Sequence, residues 1–286
     1  MVTFILIRHG ESTDNLHSVW AGWKDAPLSN HGRFLTFRRE NSIERDKTGM
    51  KQAKALGDFF SDTDFAAIHT SDLKRAYLTA QAILDCQDSK ETQLNLLTSP
   101  LLREQHFGVA EGKPYSKSRP DVVSSDLYAQ GIYPSPRNRD ESFPEGESRG
   151  DLRRRAEQAV DEILLPYVWQ SAREGNIGVR VALISHGLFI KELIAALVAR
   201  DAQGETTDLY YKGLRNTAWA RMTVEVQTPR RGKKTGLDDN YPLKVRLTDF
   251  DRKDHLKNVV RQQGGIGSSA HDPHQKDIRS FFAGAL

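Results

Sequence analysis

The chain has 286 residues, enough for one large α/β domain or two small ones. Hydrophobic residues make up 38%, mean hydropathy is −0.59, and the net charge of +3 is too mild to demand a nucleic acid but suits a small anionic partner. No apolar run approaches the roughly 18 residues of a membrane span, and the single cysteine, Cys86, excludes an internal disulfide and fits a reducing, cytoplasmic setting, with a nuclear share left open.

Phe4-Ile5-Leu6-Ile7 is an apolar run of the length expected for a strand buried on both faces. Starting so near the N-terminus, it leaves no room for a signal peptide. It stops abruptly at Arg8-His9-Gly10. In an open α/β sheet, ligands bind at the carboxyl ends of the strands. Gly10 lets the backbone approach a ligand closely, and the polar residues after it can open a helix whose free N–H groups face an anion. Leu16 to Ser29 reads as a loop over the strand end, because Pro27 breaks any helix there. Trp20, Trp23 and Lys24 either line a pocket mouth or form an aromatic plug over the core. Ser29-Asn30-His31-Gly32 looks like the opening of a helix that Met50 to Phe60 continues. The intervening residues 33–49 are charge-rich and lack periodicity. They read as an inserted surface loop or as translated intron sequence.

Ala66 to Ser71 predicts a second strand and Asp72 to Leu84 a helix, capped by Ser71 or Asp72. Cys86 continues that helical pattern as a small core residue. Arg75 falls in the first turn, where the helix dipole disfavours a cation; a nearby anion makes sense of that cost. Leu94 to Thr98 is a further strand, and Glu104 stands just beyond it among apolar residues. Such a setting favours the protonated form of a carboxyl, the state a general acid needs. Residues 115–144 read as a lid or cap outside the sheet. A helix is expected from Arg149 to Trp169, with Arg153-Arg154-Arg155 on its solvated side. Val181 to Ile184 then repeats the first design, because Ser185-His186-Gly187 follows it. Two buried strands, each ending in His-Gly, bring two imidazoles to one rim of one sheet. Leu188 to Val198 predicts an apolar helix and Asn216 to Val224 the last core strand; residues 228–242 are a basic loop and Leu243 to Leu247 returns as a hairpin. The tail from Asp249 is polar and Gly-rich.

Leu6-Ile7-Arg8-His9-Gly10-Glu11, together with Ser185-His186-Gly187, resembles the signature of the histidine phosphatase superfamily, the phosphoglycerate mutase-like family. Ser71-Asp72-Leu73-Lys74-Arg75-Ala76 with Thr79-Ala80 resembles its phosphate-binding helix, Leu102-Arg103-Glu104 its proton-donor segment, and Gly146-Glu147-Ser148 one of its turns. In that pattern Gly32 joins Met50 without a gap. The resemblance runs from Phe4 to about Val226. It implies a three-layer α/β/α sandwich with a mostly parallel central sheet, in a domain of residues 1–248 followed by a tail of residues 249–286.

It also implies a phosphomonoester hydrolase acting on a small phosphorylated metabolite through a phosphohistidine. His9 is then the nucleophile. Arg8 and Arg75 give bidentate contacts to the phosphoryl oxygens, Asn15 and His186 donate further hydrogen bonds, and Trp23 lines the substrate. Glu104 protonates the leaving oxygen and then activates water. No metal or other cofactor is called for, since the arginines supply the charge. The Glu-Arg-His-Tyr-Gly segment of the mutases is absent; Arg103 to Gly112 is closer to the phosphatase branches. Mutase-type phosphoryl transfer is the alternative enzyme, and a non-enzymatic scaffold working through its tail the alternative class. In that tail, Gln275, Ile278, Phe281 and Phe282 resemble the PIP box that docks on the DNA sliding clamp. A tail that docks back on its own domain is the other reading. Neither a membrane nor direct nucleic-acid contact is expected.

Overall fold

The computed structural model describes residues 1–17, 19–29, 48–87, 94–116, 125–204, 213–227 and 241–259. In chain order the strands are β1 (Val2–Arg8), β2 (Ala67–Ser71), β3 (Leu96–Ser99), β4 (Tyr115–Ser116), β5 (Tyr133–Pro134), β6 (Val179–Ser185), β7 (Trp219–Val226) and β8 (Leu243–Arg252). The α-helices are α1 (Thr13–His17), α2 (Thr48–Phe59), α3 (Lys74–Asp85), α4 (Ser125–Ala129), α5 (Arg149–Ala159), α6 (Leu165–Glu174) and α7 (Gly187–Val198).

Six strands form one sheet in the order β3-β2-β6-β1-β7-β8. The first four are mutually parallel, and β7 and β8 run antiparallel at one edge. The two apolar runs read from the sequence lie side by side at its centre. Side chains alternate along β1: Phe4 and Leu6 pack with α5, α6 and α7, whereas Ile5 and Ile7 pack with α2 and α3. Covering both faces explains why these strands are apolar throughout rather than alternating. The result is the expected α/β/α sandwich. Its register pairs Arg8 with Ser185, so the residues that follow, His9 and His186, leave adjacent strands at the same level.

The cap is smaller and separate. β4 and β5 pair outside the main sheet, over a satellite cluster of Trp20, Phe107, Tyr133 and Phe143. Trp20 belongs to this cluster, held by its indole N–H donating to the Tyr133 carbonyl at 3.1 Å.

Several boundaries differ from expectation. The helix predicted over 149–169 is two helices, α5 and α6, joined by a π-turn at Val160–Leu164. Pro166 lacks the N–H that an unbroken ladder needs, which accounts for the wide turn before it. α2 starts at Thr48, so the last two residues of the 33–49 segment, Thr48 and Gly49, already lie in the first turn of the helix. The domain does not end at 248: β8 continues to Arg252, and a 3-10 turn at Asp254–Leu256 packs beside α2. Cys86 is half-buried at the C-terminal end of α3, not in the core. Residues 33–47, cap residues 117–124, loop residues 228–240 and the Gln275, Ile278, Phe281 and Phe282 motif lie outside the described residues. Among the described residues no helix is long and apolar enough to cross a membrane.

Candidate active site

His9 follows β1 and is buried. Its Nδ1 lies 2.6 Å from the Gly10 carbonyl oxygen. A carbonyl only accepts, so Nδ1 carries the proton and Nε2 keeps a lone pair. Burial first, then the Arg75 and Arg8 charges, hold the imidazole well below its ordinary pKa. His9 is therefore neutral around pH 7. The His186 ring centroid is 5.0 Å away, with the planes tilted by 57°. His186 is also held well below its ordinary value, by burial and then by Arg75. Its Nε2 lies 3.0 Å from the Ser71 hydroxyl. When that hydroxyl donates, the proton sits on Nδ1.

The arginines converge on the same rim. Arg8 Nη1 donates to the Leu214 carbonyl at 2.8 Å. Arg75, the largest fully buried side chain among the described residues, donates to the carbonyls of Gly22 at 2.7 Å and Lys24 at 3.2 Å. Three buried nitrogens here have no partner: Arg8 Nε, Arg75 Nε and His186 Nδ1. Buried donors are almost always satisfied, so a cluster of unsatisfied ones marks the place of an anion. Asn15 completes it. Its Oδ1 accepts from Ser12 N and from Asn216 Nδ2, both at 3.1 Å, which leaves its Nδ2 as a donor.

Glu104 lies opposite. Its carboxylate accepts N–H bonds from Gln105 at 2.9 Å and from Leu188 and Phe189 at 3.1 Å, the latter two in the first turn of α7. It attracts both Arg8 and Arg75. It does not pair with its neighbour Arg103, which forms a bidentate pair with Asp72.

Trp23 is placed differently from the sequence expectation. Its indole N–H donates to the Glu104 carbonyl at 2.7 Å, with Arg103 over one face and His106 beside it. Trp20, not Trp23, lines the adjoining cleft. Trp23 thus supports the backbone of Glu104.

Other supports were not read from the sequence. Asp25, not Ser71 or Asp72, receives the first free N–H of α3, from Lys74 at 2.8 Å. That docks the 22–25 loop on the helix that carries Arg75. Glu111 braces the same loop, accepting from Trp23 N and Lys24 N at 2.7 and 2.6 Å. Gly22 is needed there, because a Cβ would meet Glu111 Oε1 at 2.3 Å. Arg155 is not on a solvated face. It donates to the carbonyls of Leu101, Arg103 and Glu104 at 2.7–2.9 Å and pairs with Glu147. Its signal was its place beside the apolar stripe of Leu152 and Ala156. Thr79 accepts the Gly10 N–H at 3.0 Å and donates to the Arg75 carbonyl, joining the two halves of the site.

A model of the histidine phosphatase superfamily, branch 1, matches residues 4–34 and 36–230. Similar curated proteins include fructose-2,6-bisphosphatase TIGAR B of Danio rerio, 26% identical over 290 residues, with 91% of this chain and 98% of the relative covered. They also include a 2,3-bisphosphoglycerate-dependent phosphoglycerate mutase of Bartonella henselae, 29% identical over 195 residues, covering 68% of this chain and 81% of that one. A mycobacterial glucosyl-3-phosphoglycerate phosphatase structure shares the fold, with a TM-score of 0.58 at 21% identity over 87% of this chain and 98% of its own. The matched segments run through both His-Gly strand ends, the arginines and Glu104, and the chain belongs to the histidine phosphatase superfamily, branch 1.

Proposed function

We propose that the protein is a phosphomonoester hydrolase that works through a phosphohistidine. The observation that carries this reading is the His9 tautomer: Nδ1–H held by Gly10 leaves a neutral Nε2 lone pair among two arginines. Arg8, Arg75, Asn15 and His186 bind the phosphoryl oxygens and offset the charge that repels a nucleophile. Nε2 of His9 attacks phosphorus as the ester P–O bond breaks, and Glu104 gives its proton to the leaving oxygen. Glu104 then takes a proton from water; the water oxygen attacks phosphorus, the N–P bond breaks, and inorganic phosphate leaves. The side chains supply the positive charge, so chelation with EDTA leaves the rate unchanged. The single cysteine supports a reducing, cytosolic location.

The test is phosphate release from sugar phosphates, phosphoglycerates and p-nitrophenyl phosphate, with His9→Ala beside the wild type. Release by the wild type alone supports the reading. A folded wild type that releases nothing, yet moves phosphate between phosphoglycerates, makes it a mutase. For the tail we propose clamp binding through Phe281 and Phe282. Capture by the sliding clamp that survives Phe281→Ala with Phe282→Ala rules it out.

A further inference from the structure

Next to the anion site lies a cleft of about 360 Å³. Asn15 belongs to both, since it lines the cleft and offers its Nδ2 to the phosphoryl group. The floor and walls are aromatic: Trp20, Phe107 and Tyr115. Trp20 is fixed by its bond to Tyr133 and by ring contacts to Phe107 and Tyr115 at 4.8 and 4.9 Å. The cleft is therefore preformed, with its aromatic surface held in place. A leaving group attached to the phosphate has this space to occupy.

Its charge is unusual for a site that takes phosphate esters. The charged side chain in the lining is Asp14, and among the described residues no lysine or arginine lines the cleft. One carboxylate oxygen of Asp14, Oδ2, is buried without a hydrogen-bond partner. Burial pushes the Asp14 pKa up; Arg75, Lys24 and His17 pull it down, and Glu111 pushes it up again. Arg75 already faces the phosphoryl group and cannot also serve a second anion. An anionic group on the leaving side would meet a carboxylate of like sign in the cleft lining. A hydroxyl would instead donate to the unpartnered Oδ2, and the C–H face of a sugar or polyol packs against the aromatic wall.

We infer that Asp14 is a specificity-determining residue. It selects phosphate monoesters of uncharged, hydroxyl-bearing alcohols, such as sugars and polyols, over esters that carry a second phosphate or a carboxylate on the leaving group. The inference rests on the phosphatase reading above and names its substrate class.

Matched pairs test it on the full chain. Glycerol 3-phosphate and 3-phosphoglycerate differ only in a hydroxymethyl against a carboxylate; glucitol 6-phosphate and 6-phosphogluconate differ in the same way. The kcat/KM ratio of neutral to anionic member is at least tenfold in the wild type, and Asp14→Asn narrows it at least fivefold. p-Nitrophenyl phosphate, assayed alongside, reports on phosphatase activity itself. Release from it with a wild-type ratio at or below one overturns the inference and leaves the phosphatase standing. A tenfold ratio that Asp14→Asn does not change removes Asp14 from the explanation. No release from any ester by folded protein overturns the phosphatase reading, and the inference with it.

Discussion

Ser29 Oγ accepts the backbone N–H of Gly49 at 3.0 Å, although the two are 20 residues apart. This is the bond an N-cap serine makes to the third residue of its own helix. In the sequence Ser29-Asn30-His31-Gly32, Gly32 stands at that third position. Residues 33–49 thus interrupt the first turn of α2, and the cap bond forms across them. The glycine is required there, since a Cβ on Gly49 would meet the Glu11 carbonyl oxygen at 2.2 Å.

Deleting residues 33–49 puts Gly32 where Gly49 was. The shortened protein is expected to keep full phosphatase activity, with an equal or higher melting temperature because less loop is closed. Gly49→Ala in the full chain costs about 2 kcal/mol through overpacking, a fall of roughly 4–8 °C on thermal melting. Sequencing the transcript decides whether the insertion is made at all; a message encoding it removes the intron reading.

Arg155 holds three carbonyls of the segment that carries Glu104. Arg155→Ala leaves those acceptors unsatisfied, at a cost of about 2–3 kcal/mol. It also frees Glu104, the proposed proton donor, to shift, so kcat is expected to fall at least tenfold with a smaller change in KM. A kcat within twofold of wild type, in a variant that melts lower, would mean that Arg155 is structural only.

The histidines make the protein sensitive to acid. Burial pushes His69 down to about 4 from its ordinary 6.5. The unfolded chain therefore binds a proton that the folded one refuses, and stability declines as pH falls below about 6.5. For His69 alone the loss at pH 5 is about 2 kcal/mol by this linkage. His9 and His186, both held low, act in the same direction. Urea titrations at pH 7.5 and 5 measure it, and His69→Gln makes the difference smaller. Activity behaves differently: because His9 stays neutral, kcat/KM has no acid limb at the ordinary histidine value near 6.5.

The segment after residue 248 is part of the machine. Arg215 donates twice from its side chain and once from its backbone to Asp251, and His255 Nε2 lies 3.0 Å from Thr217 Oγ1. These contacts pin the turn over 214–217, which holds Arg8 through Leu214 and Asn15 through Asn216. Thr217 and Asp251 both adopt positive φ, 55° and 50°, which non-glycine residues hold only when their surroundings fix them. A chain ending at 248 is expected to lose most activity and melt lower, whereas one ending at 259 keeps both. Equal activity of the two truncations would show that the contact is dispensable.

The chemistry was legible because it sits where strands end. Arg8, His9 and His186 announce themselves as polar residues terminating apolar runs, and Arg75 as a cation at a helix start. The supports were not, because they act across distance. Asp25 caps α3 from 49 positions away. Arg155 looks like one of three solvated arginines until its helix is packed beside the Glu104 segment. Trp20 and Trp23 are three residues apart in one loop, and nothing in the sequence says which of them faces the cleft. Pro166 marked a break, but the periodicity on either side of it was continuous enough to hide it.

The 5.0 Å between the His9 and His186 rings is close to one interstrand step of a β-sheet. The backbone register that pairs Arg8 with Ser185 brings both imidazoles off adjacent strands at one level, so their separation starts from main-chain hydrogen bonds that any sequence with this sheet makes. Mutation is free to redraw the cleft around Asp14, Trp20 and Tyr115 while the reacting atoms stay in register. One scaffold can in this way explore new esters without relearning how to break them.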